Sequence, residues 1–255
     1  MIHYYHSLKP FREIFQTGTP VLTYHKLGPR PNGVRIKGLY LSEKLFARQL
    51  SELRTAGFET PPLSSIFPAS DATQNKIALT FDDGYTNVLR YGLRPLADNK
   101  YHAIQFIVAS CIGKANQWDM RAGEAQEPLM DTAQIREWLA AGHEIGSHSL
   151  THPLLTRIPR AQAHEEISAS KKILEDLFGR TVEYFCYPYG DWNDELCNLV
   201  MAAGYKAAFT ATAGINTPAD SPYMLKRLTA RYPSRGLKAI WSRLCMTGVS
   251  LDKVP

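Results

Sequence analysis

Thr80-Phe81-Asp82-Asp83-Gly84 places two adjacent carboxylates directly after a short apolar run, Ile77-Ala78-Leu79, that reads as the end of a buried strand. Charges in such a place are costly unless they are paired, hydrogen-bonded or bound to a metal. A partner lies downstream in Ser147-His148-Ser149-Leu150-Thr151-His152-Pro153, where two histidines four apart reach one point if the segment is helical. One Asp with two His forms an open metal site of the catalytic kind, with positions left for water and substrate. The remaining carboxylate is then free to act as a base toward that water. Taken singly, each stretch has a plainer reading. Asp is a common helix N-cap, and an isolated His pair is more often a satisfied core or surface pair. Together they favour the metal site.

Further stretches extend the pattern. Pro188-Tyr189-Gly190 follows Phe185-Cys186-Tyr187, and Gly142-His143-Glu144-Ile145-Gly146 precedes the histidines. With the unbroken Thr-Phe-Asp-Asp-Gly and a His-(Ser/Thr)-x-x-His-Pro motif at His148, Ser149, His152 and Pro153, the chain resembles the polysaccharide deacetylase family, carbohydrate esterase family 4, from roughly residue 20 to 231. The resemblance implies an α/β fold, a distorted (β/α) barrel of seven or eight strands. It implies Asp83, His148 and His152 as ligands of a divalent metal. The ligand set suits Zn²⁺, and also Co²⁺, Fe²⁺ or Ni²⁺. Asp82 is then the base, and the backbone N–H of Tyr189 helps to bind the oxyanion. The implied reaction is hydrolytic removal of N-acetyl groups from amino sugars of a polysaccharide, oligosaccharide or lipid-linked glycan.

Two departures from the family pattern bear on mechanism. The family usually takes its general-acid histidine from a late motif, but no His follows His164. In a branch that begins with a Tyr-His strand the early His lies in the active site, so His25, after Tyr24, is the expected acid. Position 186 is Cys where many members carry an Arg that orients the base. Arg227, within the apolar-flanked run Leu225-Lys226-Arg227-Leu228-Thr229, is expected to donate to Asp82 instead, with Lys226 facing the opposite side. Two alternatives stay open at this stage: opening of a cyclic amide or imide at the same site, and a sugar-binding module without turnover.

The elements that must position these residues alternate between strand and helix, the pattern of a parallel sheet with helices outside. Strands are expected at Pro20–His25, Ile77–Thr80, Ala103–Ala109, Glu144–Gly146, Glu183–Cys186, Lys206–Thr210 and Leu225–Ala230. Helices are expected from the Ser42 cap to Arg54, after Gly84 to about Asp98, and at Thr132–Ala141, Pro159–Phe178, Trp192–Ala203 and Leu237–Leu244. Residues 1–19 read as an irregular or helical lead-in, 26–40 as a basic Gly/Pro-rich loop carrying Arg30, Arg35 and Lys37, and 119–129 as a polar insertion. The motif residues fall at C-terminal strand ends, where such barrels place chemistry. Trp118-Asp119, Leu155, Trp192 and Phe209 are candidate walls of the substrate site.

At 255 residues a single domain spanning 1–255, with its core at about 20–231, is the default. The 44% apolar content supports a full core. A net charge of +5 without a dense basic block argues against nucleic acid as a partner. The expected partner is an N-acetylated glycan, and peripheral membrane contact fits a lipid-linked one. Cysteines 111, 186, 197 and 245 form no C-x-x-C pair and read as buried thiols. The N-terminus shows no basic start and no apolar signal region, and no apolar run approaches the ~18 residues of a spanning helix. The expectation is therefore a cytoplasmic location.

Overall fold

The computed structural model of the protein describes residues 4–67, 75–118, 120 and 123–232. Its strands in chain order are β1 (Tyr4–Tyr5), β2 (Val21–Tyr24), β3 (Lys26–Leu27), β4 (Tyr40–Leu41), β5 (Ala78–Phe81), β6 (Ile104–Ile107), β7 (Glu144–Ser147), β8 (Tyr184–Cys186), β9 (Ala207–Phe209) and β10 (Leu228–Ala230). The α-helices are α1 (Glu43–Thr55), α2 (Thr86–Asn99), α3 (Thr132–Ala140), α4 (Arg160–Phe178) and α5 (Asp194–Ala202). Eight strands form one curled parallel sheet in the order β1-β10-β2-β5-β6-β7-β8-β9. This is the distorted (β/α) barrel of seven or eight strands that the sequence leads one to expect. The strands β2, β5 and β6 are buried along their whole length, as a parallel sheet covered on both faces requires.

Local chemistry sets the helix ends. Ser42 caps α1 by accepting from Leu45 N, and Asn193 caps α5 by accepting from Leu196 N. Asp131 and Gln134 form a reciprocal capping box on α3. Gly179 closes α4 in the left-handed conformation that glycine adopts without penalty.

Side chains alternate across the strands, so two apolar cores form. The larger packs the helices onto the outside of the sheet and holds the rings of Tyr24, Phe46, Phe81 and Trp138 in mutual contact. The smaller fills the inside with Val21, Ala78, Phe106, Tyr184 and Phe209, over a floor made by Leu63, Ile66 and Phe67. Gly146 is required here, because a Cβ would lie 2.5 Å from the Phe106 ring and 2.9 Å from the Tyr184 carbonyl. One strand-step above this apolar layer, the same inward-facing positions become polar, and that is where the chemistry begins.

The curl is completed by residues 225–230. Leu225 exchanges backbone hydrogen bonds with β9, through the Ala208 carbonyl and Thr210 N–H. Three residues later, β10 lies between β2 and β1, pairing Leu228 with Leu22 and Thr229 with Tyr4.

Several expectations need correction. The lead-in contains a strand: Tyr4 and Tyr5 pair with β10, and 3₁₀ turns at Lys9–Phe11 and Ile14–Gln16 follow. The basic loop is bounded by a two-stranded parallel sheet of β3 and β4. The last strand starts at Leu228, so Arg227 precedes it. Of the cysteines, Cys186 is buried but Cys111 and Cys197 are only half-buried. The expected helix at Leu237–Leu244, together with Asp119 and Cys245, lies outside the described residues.

Candidate active site

The two carboxylates follow β5, and they serve different neighbours. Asp82 occupies an inward position next in alternation to Ala78 and Thr80. Asp83 turns away from it in a left-handed conformation, φ 77°, and Gly84 follows at φ 83°. Asp83 Oδ1 lies 3.4 Å from His148 Nε2 and 3.3 Å from His152 Nε2. Bonds of about 2.1 Å at the tetrahedral angle put neighbouring ligand atoms about 3.4 Å apart, so the donor set fits one divalent cation. All three residues are at most 5% exposed.

The histidines are not brought together by a helix, which corrects the sequence expectation. His148 follows β7, and residues 148–153 form a turn with left-handed Ser149 (φ 65°) and His152 (φ 68°). The turn is held by a carboxylate from α4. Glu166 accepts from Leu150 N, Thr151 N and the Thr151 hydroxyl, while Ser149 Oγ accepts from His152 N. Glu166 was not anticipated. Its signal was an acid within the buried stripe Ala163, Glu166, Ile167, Ser170, Leu174 of α4, where a charge has no place without a partner. His148 Nδ1 bonds to the Cys186 carbonyl at 2.8 Å. A carbonyl only accepts, so Nδ1 carries the proton and Nε2 is left as a ligand atom.

Asp82 is gripped by Arg227. The guanidinium makes paired bonds, Nη1 to Oδ1 at 2.8 Å and Nη2 to Oδ2 at 2.9 Å. It is fixed in turn by Nε donating to the Thr210 carbonyl, with further contacts to Thr80 Oγ1 and to Cys186 Sγ at 3.1 Å. Cys186 leaves the space beside Asp82 that the arginine fills from the closing segment. Lys226 points the other way, to Asp220. His25, next after β2, places Nε2 3.6 Å from Asp82 Oδ2. Tyr189 sits in the Pro188–Gly190 turn at φ 59°, half-exposed, with its ring edge against His152 at 4.6 Å between centroids. Trp118 stacks on the same imidazole at 4.4 Å. Of the other candidate walls, Phe209 and Leu155 are core residues and Trp192 packs against the outer core. Of the six non-glycine residues with positive φ among the described residues, Asp83, Ser149, His152 and Tyr189 belong to this one cluster. Strain is thus concentrated where position matters most.

Charge is balanced within the cluster. Burial pushes Asp82 upward, but Arg227, His25 and His148 outweigh it and hold its carboxyl below the usual range. Burial also raises Asp83, and the hydrogen bonds and charges of His148 and His152 reverse this and hold it well below that range. Burial lowers His25, against the opposing pull of Asp82 and Asp83. The arrangement gives one carboxylate with two imidazoles for a cation, and beside them a second carboxylate locked in orientation by a bidentate arginine.

Residues 69–208, more than half of the chain, match the family model described as polysaccharide deacetylase. The chain belongs to the polysaccharide deacetylase family. The family match contains Asp82, Asp83, His148, His152 and Tyr189, while His25 and Arg227 lie on either side of it. The chain is 24% identical over 213 residues to the Bacillus subtilis protein YxkH, covering 82% of this chain and 70% of that one. It is 35% identical over 130 residues to the peptidoglycan-N-acetylmuramic acid deacetylase PdaC of the same organism, covering 49% of this chain but 24% of PdaC. Among solved structures, the polysaccharide deacetylase BC0361 from Bacillus cereus superimposes with a TM-score of 0.70 at 23% identity, covering 88% of this chain and 68% of that one. At that identity the likeness shows the fold.

Proposed function

We propose that this member of the family is a metal-dependent N-deacetylase of amino-sugar glycans, and that the division of labour between Asp82 and Asp83 carries the activity. The observation behind this reading is the bidentate Arg227–Asp82 pair set beside the Asp83, His148 and His152 donor set. Asp83, His148 and His152 would hold the cation, which when bound supplies Lewis acidity toward water and the acetamide carbonyl. Asp82 accepts a proton from the attacking water. Arg227 occupies one lone pair on each Asp82 oxygen and leaves the others for this task. His25, 3.6 Å from Asp82 Oδ2, stands where the proton can pass to the departing amine. Desolvation of its part-buried ring weakens its hold on a proton. The turn at Tyr189 supplies a backbone donor to the developing oxyanion. One water and one N-acetyl group give acetate and a protonated amine: the water oxygen goes to the acetyl carbon and both water protons end on the departing nitrogen, so atoms and charge balance.

The glycan itself is read by analogy with named relatives, which include peptidoglycan and chitooligosaccharide deacetylases. Acetate release from a panel of N-acetylated glycans, measured with and without chelator, tests the reading. The expected result is chelator-sensitive release that disappears in His148→Ala together with the bound metal. Full metal retention in His148→Ala would rule out the ligand set. Metal binding without acetate release from any glycan would turn attention to a cyclic amide substrate or to a sugar-binding role.

A further inference from the structure

Trp118 lies outside the motifs, yet it makes the closest ring contact to the donor set. Its indole stacks on His152 with centroids 4.4 Å apart and planes 23° from parallel. Tyr189 and His148 meet the same imidazole edge-on, at 67° and 71°. The rotation of His152 is therefore limited on one face by a stacked ring and at its edges by two others. The support is not a free loop. Residues 113–118 and 123–130 form a two-legged arm, with Gly113 N bonded to the Met130 carbonyl, Leu129 N to the Lys114 carbonyl and Asn116 N to the Glu127 carbonyl. Its base is tied to the Asp83-Gly84 turn, since Met130 N donates to the Gly84 carbonyl. Its outer leg is tied to the 28–40 loop, because buried Glu124 accepts from Arg35 N and Ile36 N. The arm thus joins the segment carrying one proposed ligand, Asp83, to a ring resting on another, His152.

We infer that Trp118 is a positioning residue of the metal centre, bracing His152 in its ligand orientation so that ion affinity itself depends on the indole. The inference rests on the metal reading of the site given above. Two physical effects act in one direction. Restricting the ring before binding lowers the ordering cost of coordination. An imidazole bonded to a divalent ion becomes electron-poor, which strengthens its stack on an electron-rich indole face. The brace therefore favours the loaded state over the empty one.

The test is Zn²⁺ affinity of the purified chain, by competition with a chromogenic chelator, for wild type, Trp118→Ala, Trp118→Phe and Trp192→Phe. Partners that orient a metal ligand typically contribute about 10–100-fold in affinity. The expected result is a loss in that range for Trp118→Ala, substantial rescue by Trp118→Phe, and no change for Trp192→Phe. A second readout is indole emission: Co²⁺ should quench wild type, and Trp118→Phe should lose most of the quench. If Trp118→Ala unfolds, the Phe variant and the emission difference still decide. Equal Zn²⁺ affinity in wild type and a folded Trp118→Ala would overturn the brace while leaving the metal reading intact. Failure of wild type to bind Zn²⁺ would overturn both.

Discussion

At the scale of the residue, the proposed reading gives two neighbouring carboxylates separate tasks, Asp83 as ligand and Asp82 as base. Asp82→Asn should fold and retain metal yet lose turnover, because a carboxamide nitrogen cannot accept the water's proton. Removal of a general base costs about 10²–10⁴ in rate, and acetate release with parallel metal analysis checks it. Concurrent loss of metal would instead make Asp82 a ligand. On the same reading, Arg227 sets when Asp82 is available as a base. It favours the charged form of Asp82, so Arg227→Ala leaves burial opposed only by His25 and His148 and raises that pKa. The acid limb of the pH–rate profile should then move to higher pH, with metal content unchanged, and Lys226→Ala should leave the profile in place. The same sign governs stability. A carboxyl held low contributes fully above the ordinary carboxylate range, and that contribution is lost as pH falls through the folded-state value. Residue chemistry was the most legible part of the sequence. Asp82, Asp83, His148, His152, His25 and Arg227 all fall in one cluster, since each type has few reasons to stand at a strand end.

At the scale of the element, the alternation of strands and helices was legible because each strand is short, apolar and bounded by polar turns. The histidine turn was not. Spacing of four suggested a helix, but the left-handed Ser149 and His152 and the Glu166 brace override local preference, and a tertiary partner cannot be read from spacing. The two-residue strands β1, β3 and β4 were missed for a related reason. Nothing in Tyr4-Tyr5 marks a strand until β10, over two hundred residues away, is present to pair with it. Glu166 therefore offers a test at this scale. Glu166→Ala removes the shared acceptor of two part-buried backbone donors of the turn, and a hydrogen bond to a charged group contributes about 1.5–3 kcal/mol. We expect a lower melting temperature together with weaker metal binding. Glu165→Ala, one residue away on the exposed side of α4, should change neither. Equal effects from both positions would show that α4 acts only through its general stability.

At the scale of the whole molecule, the opposite end of the barrel carries its own pH dependence. His102 and His143 line a cleft of about 480 Å³ at the far end of the strands from the site. Burial lowers His102 from 6.5 to about 4, and burial together with His102 lowers His143 from 6.5 to about 4. A histidine depressed in the folded state stabilises the protein fully above its unfolded pKa, and the gain is lost as pH falls from about 6.5 toward 4. Between pH 7 and pH 5 each should cost on the order of 2 kcal/mol. Melting curves across that range should slope downward, and His143→Gln should flatten part of the slope. An unchanged slope in that variant would show that His143 protonates freely in the folded protein.

The closing segment has a consequence for when the protein can work. The stretch that carries the proposed metal donors and base ends well before Leu225, yet the bidentate partner of Asp82 is Arg227, and the proposed acid, His25, directly follows β2. Those two flanks are neighbours only because β10 pairs with β2. During synthesis, the donor set could gather its ion while Asp82 still lacked its guanidinium and the barrel stood open along one seam. On the proposed reading, a chain cut just before Leu225 would keep the Asp83, His148 and His152 donor set but lose the guanidinium that orients Asp82. On the proposed reading, hydrolytic competence waits until the segment carrying Arg227 has closed against β2.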